Sequence, residues 1–251
     1  MTISEPRDYQ IPQLRRLWTA AFGDGDDFLD LFFSTAYAPD RCRCVSEAGE
    51  IQSVLYWFDC ALEGSKLAYI YAVATDPACR GRGLCRALME DTLTLLRIQG
   101  YSGAVLLPQE EWLISMYAAM GFLPCTTVTE KWFPAGAAIP IRKIDYCEYA
   151  ALRRDYLPAG GVIQECENLT FLATMADFYA GENFIAAAAM DGTELWCPEF
   201  LGNDTMVPGL IRTLGFSAGR ARMPGSDRPF AMFCPLTKDC PTPGYFGLVF
   251  D

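Results

Sequence analysis

The spacing of apolar residues near the N-terminus predicts two helices. Apolar side chains recur with a 3.6-residue period over residues 9–22, and Asp8 stands where an N-cap would be. The glycines of Gly23-Asp24-Gly25 interrupt this pattern, and a second apolar-rich segment follows over residues 26–37. We therefore expect a helical pair at the start of the chain.

Strands and helices then alternate through the first half of the chain. Residues 41–45 and 51–58 predict a hairpin around the turn at 47–50, and a second turn at 63–65 leads to a long apolar strand. Further predicted elements are that strand at 67–75, a helix at 82–99, a strand at 102–107, a helix near 111–120 and a strand at 126–133.

The second half repeats this order less clearly, after a linker marked by Pro134, Gly136 and Pro140. Predicted elements are a strand at 141–144, a helix from Asp145 to Tyr156, a helix at 171–178, a hairpin of 183–190 with 193–198, a helix near 205–214 and strands at 220–223 and 229–234. We expect an α+β protein with domains at 1–134 and 135–251.

The stretch from Leu67 to Leu96 organises the first domain. A strand ends at Thr75-Asp76-Pro77, and the loop Arg80-Gly81-Arg82-Gly83 leads into a helix. The first amides of a helix have no intrahelical partner, and the helix dipole makes this end positive. Gly81 and Gly83 allow a phosphate to approach the backbone. This arrangement predicts an anion site, but the loop lacks the Gly-Lys-Ser/Thr of a P-loop and the third glycine of a dinucleotide fingerprint.

The loop resembles motif A of the GNAT superfamily of acyl-CoA-dependent N-acetyltransferases, whose pattern is Arg/Gln-x-x-Gly-x-Gly/Ala. Here the pattern reads Arg80-Gly81-Arg82-Gly83-Leu84-Cys85, with a cysteine at the small final position. Cysteine is only slightly larger than alanine, so we expect a tight fit without loss of binding. A second landmark is Tyr117 followed by Gly121-Phe122, which resembles the Tyr-x-x-x-Gly-Phe helix end of the same superfamily.

The resemblance implies a fold and a set of cofactor contacts. The fold is a central mixed, mostly antiparallel sheet flanked by helices, with two strands splayed apart to admit acetyl-CoA as co-substrate. The backbone of Val73, Ala74 and Thr75 would pair with the pantetheine arm. The pyrophosphate would be held by the loop and the first helical turn, which comprise Arg80, Gly81, Arg82, Gly83, Leu84, Cys85 and Arg86.

The resemblance also implies roles in catalysis. Tyr117 would protonate the departing thiolate, since a phenol with a pKa near 10 is a suitable acid. The general base is open: some family members carry a glutamate on the central strand, where this chain has Tyr69. Other candidates are Asp59, Asp76, Glu110, Glu111 and a chain of water molecules.

The acceptor cleft of this family has the first two helices as one wall. Trp18, Phe22, Phe28 or Phe32 would then line the cleft, although the simpler interpretation of these aromatic residues is core packing. Trp112 and Tyr71 are further candidates, but the direction of their side chains is not readable from the sequence. The implied acceptor is a small-molecule or peptide amine.

The amino-acid composition and net charge exclude several kinds of catalytic site and binding partner. The chain of 251 residues has eleven cysteines, no histidine and a net charge of −11. Without histidine, a Ser-His or Cys-His nucleophile is excluded, and the cysteine spacings do not suit a metal site. The N-terminus resembles no signal peptide and no apolar run is long enough to span a membrane, so we expect a cytoplasmic protein with reduced thiols. The negative charge argues against a nucleic-acid partner.

The tandem layout resembles the aminoglycoside acetyltransferases of the enhanced-intracellular-survival type, shortened by their sterol-carrier-like domain. The second domain would be a degenerate GNAT-like unit, because it has no Arg-x-x-Gly-x-Gly/Ala loop, and Leu214-Gly215-Phe216 is similar to Met120-Gly121-Phe122. In that group the C-terminal carboxylate acts as base, which makes Asp251 a catalytic candidate; the alternative is an edge strand of the second domain.

Two functions from different classes follow. The first is an acetyl-CoA-dependent N-acetyltransferase that works by direct attack of an amine in a ternary complex. The second is a non-catalytic acyl-CoA-binding or regulatory protein that has kept the cofactor loop.

Overall fold

The computed structural model describes residues 1–250 of the chain, which divide into two compact units. The first unit contains residues 1–123 and 232–241, and the second contains residues 124–231 and 242–250. Within residues 1–250, no helix combines the length and the apolar character that a bilayer crossing requires.

The first unit is a mixed sheet with helices packed against it. Numbered along the whole chain, its strands lie in the order β1 (Thr2–Ser4), β2 (Cys42–Glu47), β3 (Glu50–Leu62), β4 (Ser65–Thr75), β5 (Gly103–Leu106), β14 (Met232–Pro235) and β6 (Leu123–Pro124). Its helices are α1 (Ile11–Phe22), α2 (Asp26–Thr35), α3 (Leu84–Ile98) and α4 (Glu111–Ala118). Strands β4 and β5 are parallel, whereas β1 to β4 pair antiparallel. The predicted helical pair and hairpin are confirmed.

Along the central strands, alternate side chains lie on opposite faces of the sheet and pack into two separate apolar layers. Leu55, Trp57 and Ile70 pack with α3 in one cluster, whereas Tyr56, Phe58 and Tyr69 belong to a network of aromatic rings that includes Trp18 of α1 and Phe32 of α2. The period of two along a strand sends neighbouring residues to opposite faces, so a strand buried on both faces is apolar throughout. The near-continuous apolar sequence of β3 has this cause.

The second unit has a similar architecture. Its strands lie in the order β13 (Arg228–Pro229), β7 (Thr127–Pro134), β12 (Ala218–Pro224), β11 (Glu194–Gly202), β10 (Phe184–Asp191), β9 (Asp177–Gly181) and β8 (Ile141–Ile144). Its helices are α5 (Tyr146–Tyr156), α6 (Glu167–Leu172) and α7 (Val207–Thr213). Here β11 and β12 form the parallel pair, with α7 between them along the chain.

Each sheet receives one strand from the other half of the chain. Strand β7 pairs antiparallel with β12 in the second sheet, and β14 pairs antiparallel with β5 in the first. The compact units therefore differ from the predicted domains 1–134 and 135–251. The predicted strand at 229–234 is divided between β13 and β14, which lie in different sheets. Sequence pattern alone does not specify which sheet a strand joins.

Two local predictions need correction. Residues 171–178, predicted as one helix, contain the end of α6 and the start of β9, because Phe178 and Ala180 alternate as buried residues and pair with β10. Asp8 does not cap the first helix; the amide N–H of Arg7 donates instead to Gln10 Oε1 (3.0 Å). By contrast, Asp145 caps α5 as predicted, accepting from the Glu148 amide at 2.8 Å.

The segment after residue 241 packs into the second unit as an irregular chain. Tyr245, Phe246 and Leu248 are buried, and the Leu248 amide donates to Gln164 Oε1 (3.1 Å). The expected edge strand is reduced to one bridge between Gly161 and Tyr245. Asp251 lies outside the described residues, so its predicted role stays a prediction.

Candidate active site at the open end of strand β4

Strand β4 continues beyond its parallel neighbour. Pairing with β5 covers Leu67 to Ile70, whereas on the other side β4 stays paired with β3 as far as Thr75. Residues 71–75 are thus held along one edge only. A strand edge of this kind can pair with an extended ligand.

A β-bulge lies within this open segment. Tyr56 is opposite Tyr71 and Val54 is opposite Ala74, so Leu55 faces both Ala72 and Val73. Ala72 has a φ of 48°, a left-handed conformation that is uncommon for alanine. Bulges change the direction of the following side chains. Accordingly, Tyr71 joins the aromatic face of the sheet while Val73 packs against the cluster on the α3 face.

The loop from β4 to α3 is shaped by its own residues. The Ala78 amide donates to Asp76 Oδ1 (2.8 Å), which gives Asp76 the turn-forming role. Gly81 and Gly83 have φ values of 76° and 77°, and no atom lies within 4 Å of the position of a Cβ at either residue. Glycine is therefore favoured at both positions by the left-handed backbone conformation, and not by a lack of space for a side chain.

Helix α3 begins at this loop with free amides. The first intrahelical bond at this end runs from the Ala87 amide to the Gly83 carbonyl (3.0 Å). The amides of Leu84, Cys85 and Arg86 precede it and lie at the positive end of the helix dipole. The loop and helix start thus provide the donors that a pyrophosphate group requires.

The arginines of the loop have partners within the first unit. Arg82 donates to Glu47 (2.8 Å) and Gln52 (3.3 Å) on the β2–β3 hairpin, and the Glu47 hydrogen bond raises the pKa of Arg82. Arg80 donates to the Thr75 carbonyl at 3.3 Å. Sequence reasoning missed Glu47 and Gln52, which only the folded hairpin brings to the loop.

Tyr117 of α4 is nearly buried in the same cluster. Its ring lies 5.9 Å from the Phe122 ring, in the cluster that includes Leu84 and Leu88, and the residue is 6% exposed. Burial raises the pKa of Tyr117, with a smaller contribution from the Cys85 thiol. Among residues 1–250 its hydroxyl has no hydrogen-bond partner. Gly121, with φ of 95°, ends this helical segment in a left-handed conformation, as predicted.

Cys85 takes the small position at the start of α3 and is half-buried. Burial raises the pKa of its thiol, which therefore stays neutral at physiological pH. An uncharged side chain at this point adds no negative charge to the anion site.

The candidate bases on β3 and in the loop have structural partners. Asp59 accepts from the Tyr101 hydroxyl and pairs with Lys66 at 3.3 Å, whereas Asp76 holds its turn. Glu110 and Glu111 are exposed at the start of α4. Tyr69, at the position of the family's glutamate, stacks on Phe58 with ring centroids 5.9 Å apart.

The aromatic residues of α1 and α2 divide into core and surface. Trp18 and Phe32 are each 1% exposed, so the core interpretation holds for them. Phe22 is exposed and Phe28 and Tyr71 are half-buried around the Trp18 ring. Trp112 is largely exposed on α4.

The second unit lacks the corresponding anion site. Strand β11 also has a bulge where its pairing with β12 ends: Ala188 faces both Cys197, the last residue paired with β12, and Pro198. Proline has no amide N–H to offer a ligand. The connection to α7, residues 203–206, contains no glycine. Gly202, at the end of β11, has a φ of 119° and is closely packed against the Asn183 carbonyl oxygen, and the Asn203 side chain accepts the Thr205 amide at 3.2 Å.

Leu214-Gly215-Phe216 resembles Met120-Gly121-Phe122 in sequence, but the helix that it ends, α7, does not correspond to α4 in the topology. Helix α7 connects two parallel strands, as α3 does in the first unit. The Phe216 amide donates to the Ile211 carbonyl (3.0 Å), just as the Tyr101 amide donates to the Leu96 carbonyl (2.9 Å). The shared sequence therefore indicates only that these helices end in the same way.

Comparisons with known proteins agree with this geometry. Residues 2–125 match a family described as an acetyltransferase (GNAT) domain. No curated protein matches the chain. Because the identities to the solved structures are low, those structures support the fold alone.

Three of these structures show the extent of the likeness. A putative acetyltransferase from Pyrococcus horikoshii has a TM-score of 0.70 at 12% identity, covering 99% of this chain and 94% of its own. Eis1 from Mycobacterium abscessus has a TM-score of 0.67 at 14% identity, covering 94% and 74%. A tandem GNAT protein from the clavulanic acid biosynthesis pathway has a TM-score of 0.57 at 11% identity, covering 95% and 99%.

The family match, the glycine loop before α3 and the repeated sheet architecture support one comparison. Residues 2–125, just under half of the chain, match the acetyltransferase (GNAT) domain family, and the two units have the fold of the tandem GNAT proteins.

Proposed function

We propose that the protein is an N-acetyltransferase that transfers the acetyl group of acetyl-CoA to an amine by direct attack in a ternary complex. The observation that carries this proposal is the Tyr117 hydroxyl, which has no hydrogen-bond partner among residues 1–250 and belongs to a nearly buried residue in the same cluster as Leu84 and Val73. The hydroxyl oxygen is not among the fully buried atoms that lack a partner, so it keeps contact with solvent. A ligand beside the open β4 segment can therefore accept its hydrogen bond.

Backbone groups would hold the co-substrate. The open edge at Val73, Ala74 and Thr75 would pair with the pantetheine arm, and the amides from Gly81 to Arg86 would bind the pyrophosphate. Acetyl-CoA supplies an activated acetyl thioester. These contacts depend on backbone conformation, so the left-handed glycines matter more than the arginine side chains, which have protein partners.

Tyr117 would act as the general acid. The amine nitrogen forms a bond to the acetyl carbon while the carbon–sulfur bond breaks, and the Tyr117 hydroxyl gives its proton to the departing sulfur. A phenol carries this proton at neutral pH, and the burial that raises the pKa of Tyr117 makes it a weaker acid in the absence of ligand. Asp251 is the proposed acceptor of the amine proton, either directly or through water.

The proposal is first tested by calorimetric titration with acetyl-CoA and CoA. Gly83→Trp places an indole at the pyrophosphate position and should abolish binding while the far-ultraviolet circular dichroism stays unchanged. Failure of the unaltered protein to bind either ligand would overturn the proposal. Binding is then followed by an amine screen that detects released thiol.

Tyr117→Phe tests the acid role. We expect kcat to fall by about 10²–10⁴-fold, the usual contribution of a positioned acid, with acetyl-CoA affinity retained. An unchanged kcat would remove Tyr117 from the mechanism. Asp251→Asn is the parallel test of the Asp251 side chain as base, and removal of residues 249–251 tests the terminal carboxylate; a selective loss of kcat with intact folding in either variant would support the corresponding group.

A second candidate is a non-catalytic acyl-CoA-binding protein. The structural roles of Asp59 and Asp76, which leave neither carboxylate free to act as a base, favour this alternative. Acetyl-CoA binding without thiol release for any amine, in both single and multiple turnovers, would establish it.

A further inference from the structure

Partly exposed aromatic rings surround one end of the open β4 segment. Phe22 of α1, Phe28 of α2 and Tyr71 of β4 lie around the buried Trp18, with ring centroids 5.6, 6.0 and 5.7 Å from it. Phe22 is 44% exposed. We call Phe22, Phe28 and Tyr71 the aromatic wall.

The wall is adjacent to the place where acetyl transfer would occur. Tyr71 is the last residue before the bulge, and its side chain lies on the sheet face opposite that of Val73. If the proposed function is correct, the pantetheine arm of acetyl-CoA lies along residues 73–75. An acceptor that approaches on the Tyr71 face of the sheet then meets aromatic rings first.

Three of the four carboxylates near the wall have partners, whereas the exposed Asp27, next to Phe28, has none among residues 1–250. Asp24 accepts the indole N–H of Trp18 at 2.8 Å. Asp26 and Asp30 both bind Arg15, at 3.1 and 2.8 Å. Asp27 thus offers a polycationic acceptor a single unpaired carboxylate at an exposed site, where an ion pair contributes little, whereas three flat aromatic surfaces favour ring stacking and apolar contact.

We propose that the acceptor is a primary amine carried on an aromatic body, and that Phe22, Phe28 and Tyr71 determine this specificity. This inference rests on the proposed function and adds the chemical class of the acceptor. The wall contacts the body of the acceptor and leaves the amine nitrogen to face the thioester.

Competing acceptors provide the test. With acetyl-CoA fixed, kcat/KM is measured for phenethylamine, n-butylamine and spermidine by thiol release. We expect phenethylamine to exceed both others by at least about tenfold, the discrimination that a small apolar difference supports. The selectivity ratio is independent of the fraction of folded enzyme.

Variants connect the preference to the wall. Phe22→Ala should lower the ratio of phenethylamine to n-butylamine by about three- to tenfold, since a ring contact is lost. Leu31→Ala, at another exposed apolar residue outside the wall, should leave this ratio unchanged. Tyr71→Phe keeps the ring and should keep the ratio, whereas Tyr71→Leu should lower it.

The outcomes separate this inference from the proposed function. Equal kcat/KM values for the aromatic and alkyl amines, or a preference for spermidine, would overturn the aromatic acceptor while leaving acetyl transfer intact. An unchanged ratio in both Phe22→Ala and Tyr71→Leu would also overturn it. No turnover with any amine, despite acetyl-CoA binding that Gly83→Trp abolishes, would overturn catalysis itself and with it this inference.

Discussion

The β4–α3 and β11–α7 junctions have the same topology and different chemistry. In each, a bulged strand leads through a short loop into a helix that returns to a parallel neighbour. The first junction has Val73 at its bulge and two left-handed glycines before the helix. The second has Pro198 at its bulge and an asparagine side chain that occupies a loop amide.

This difference separates the requirements of the fold from those of ligand binding. Bulge, parallel pair and helix are present in both junctions, so the architecture does not depend on the glycine loop. An anion site additionally needs free amides that point outward, which glycine conformations provide and Pro198 and Asn203 do not. The second unit keeps the scaffold but lacks these donors.

The largest expected effect is a loss of stability when a buried ion pair in the second unit is broken. Glu199 accepts from Arg153 (2.7 and 2.9 Å) and from the hydroxyls of Tyr149 (2.8 Å) and Tyr245 (3.1 Å), all buried. Glu199→Ala leaves these donors unpaired and should cost about 3–5 kcal/mol in urea unfolding.

The matched control is the ion pair of Arg154, which follows Arg153 in α5. Arg154 pairs with Glu165 at 2.6 Å near the surface. Glu165→Ala should therefore cost less than about 1 kcal/mol. Equal losses in the two variants would show that the buried network does not stabilise the second unit.

A pair of glycine substitutions sharpens the comparison of the two units. Gly83 and Gly215 both have left-handed φ values, 77° and 89°, and open space at the Cβ position. Alanine should cost about 1–2 kcal/mol of stability at either site. Only Gly83→Ala should weaken CoA binding, by about tenfold in calorimetry, and a similar loss in Gly215→Ala would argue against the assigned site.

The pH dependence of kcat provides a test of smaller effect. Burial raises the pKa of Tyr117 above the phenol value of about 10, so the acid form persists as the pH rises. We expect kcat to increase with pH as the amine loses its proton, with no alkaline decline below about pH 10. A decline near pH 8 that disappears in Tyr117→Phe would contradict this assignment.

The smallest expected effect is a change in the affinity for CoA when the charge of Arg82 is no longer neutralised. Glu47 neutralises this guanidinium beside the anion loop. Glu47→Gln should lower the Kd for CoA by about two- to threefold at low salt and leave it unchanged at high salt, because exposed charges are screened. The control Asp91→Asn removes a carboxylate that pairs with Arg43 outside the loop and should not alter the Kd. A higher Kd in Glu47→Gln would show that Glu47 orients Arg82.

Much of the first unit followed from local pattern. The apolar period predicted α1 and α2, and the turn residues near Gly49 and Gly64 predicted the hairpins of β2, β3 and β4. The loop sequence from Arg80 to Cys85 indicated the site because glycine and helix-start signals lie within a few residues of each other. By contrast, the partners of Arg82 lie 35 and 30 residues away and follow from no local signal.

The sequence by itself therefore determined most elements of the first unit, the glycine loop and the position of Tyr117 in its helix, since each depends on interactions among near neighbours. Only the tertiary structure decided that β7 and β14 complete sheets in the opposite halves of the chain, that the bulge sends Tyr71 and Val73 to opposite faces, and that the Tyr117 hydroxyl lacks a partner. These features depend on strand pairing and burial between distant residues, which the free energy of the whole fold selects.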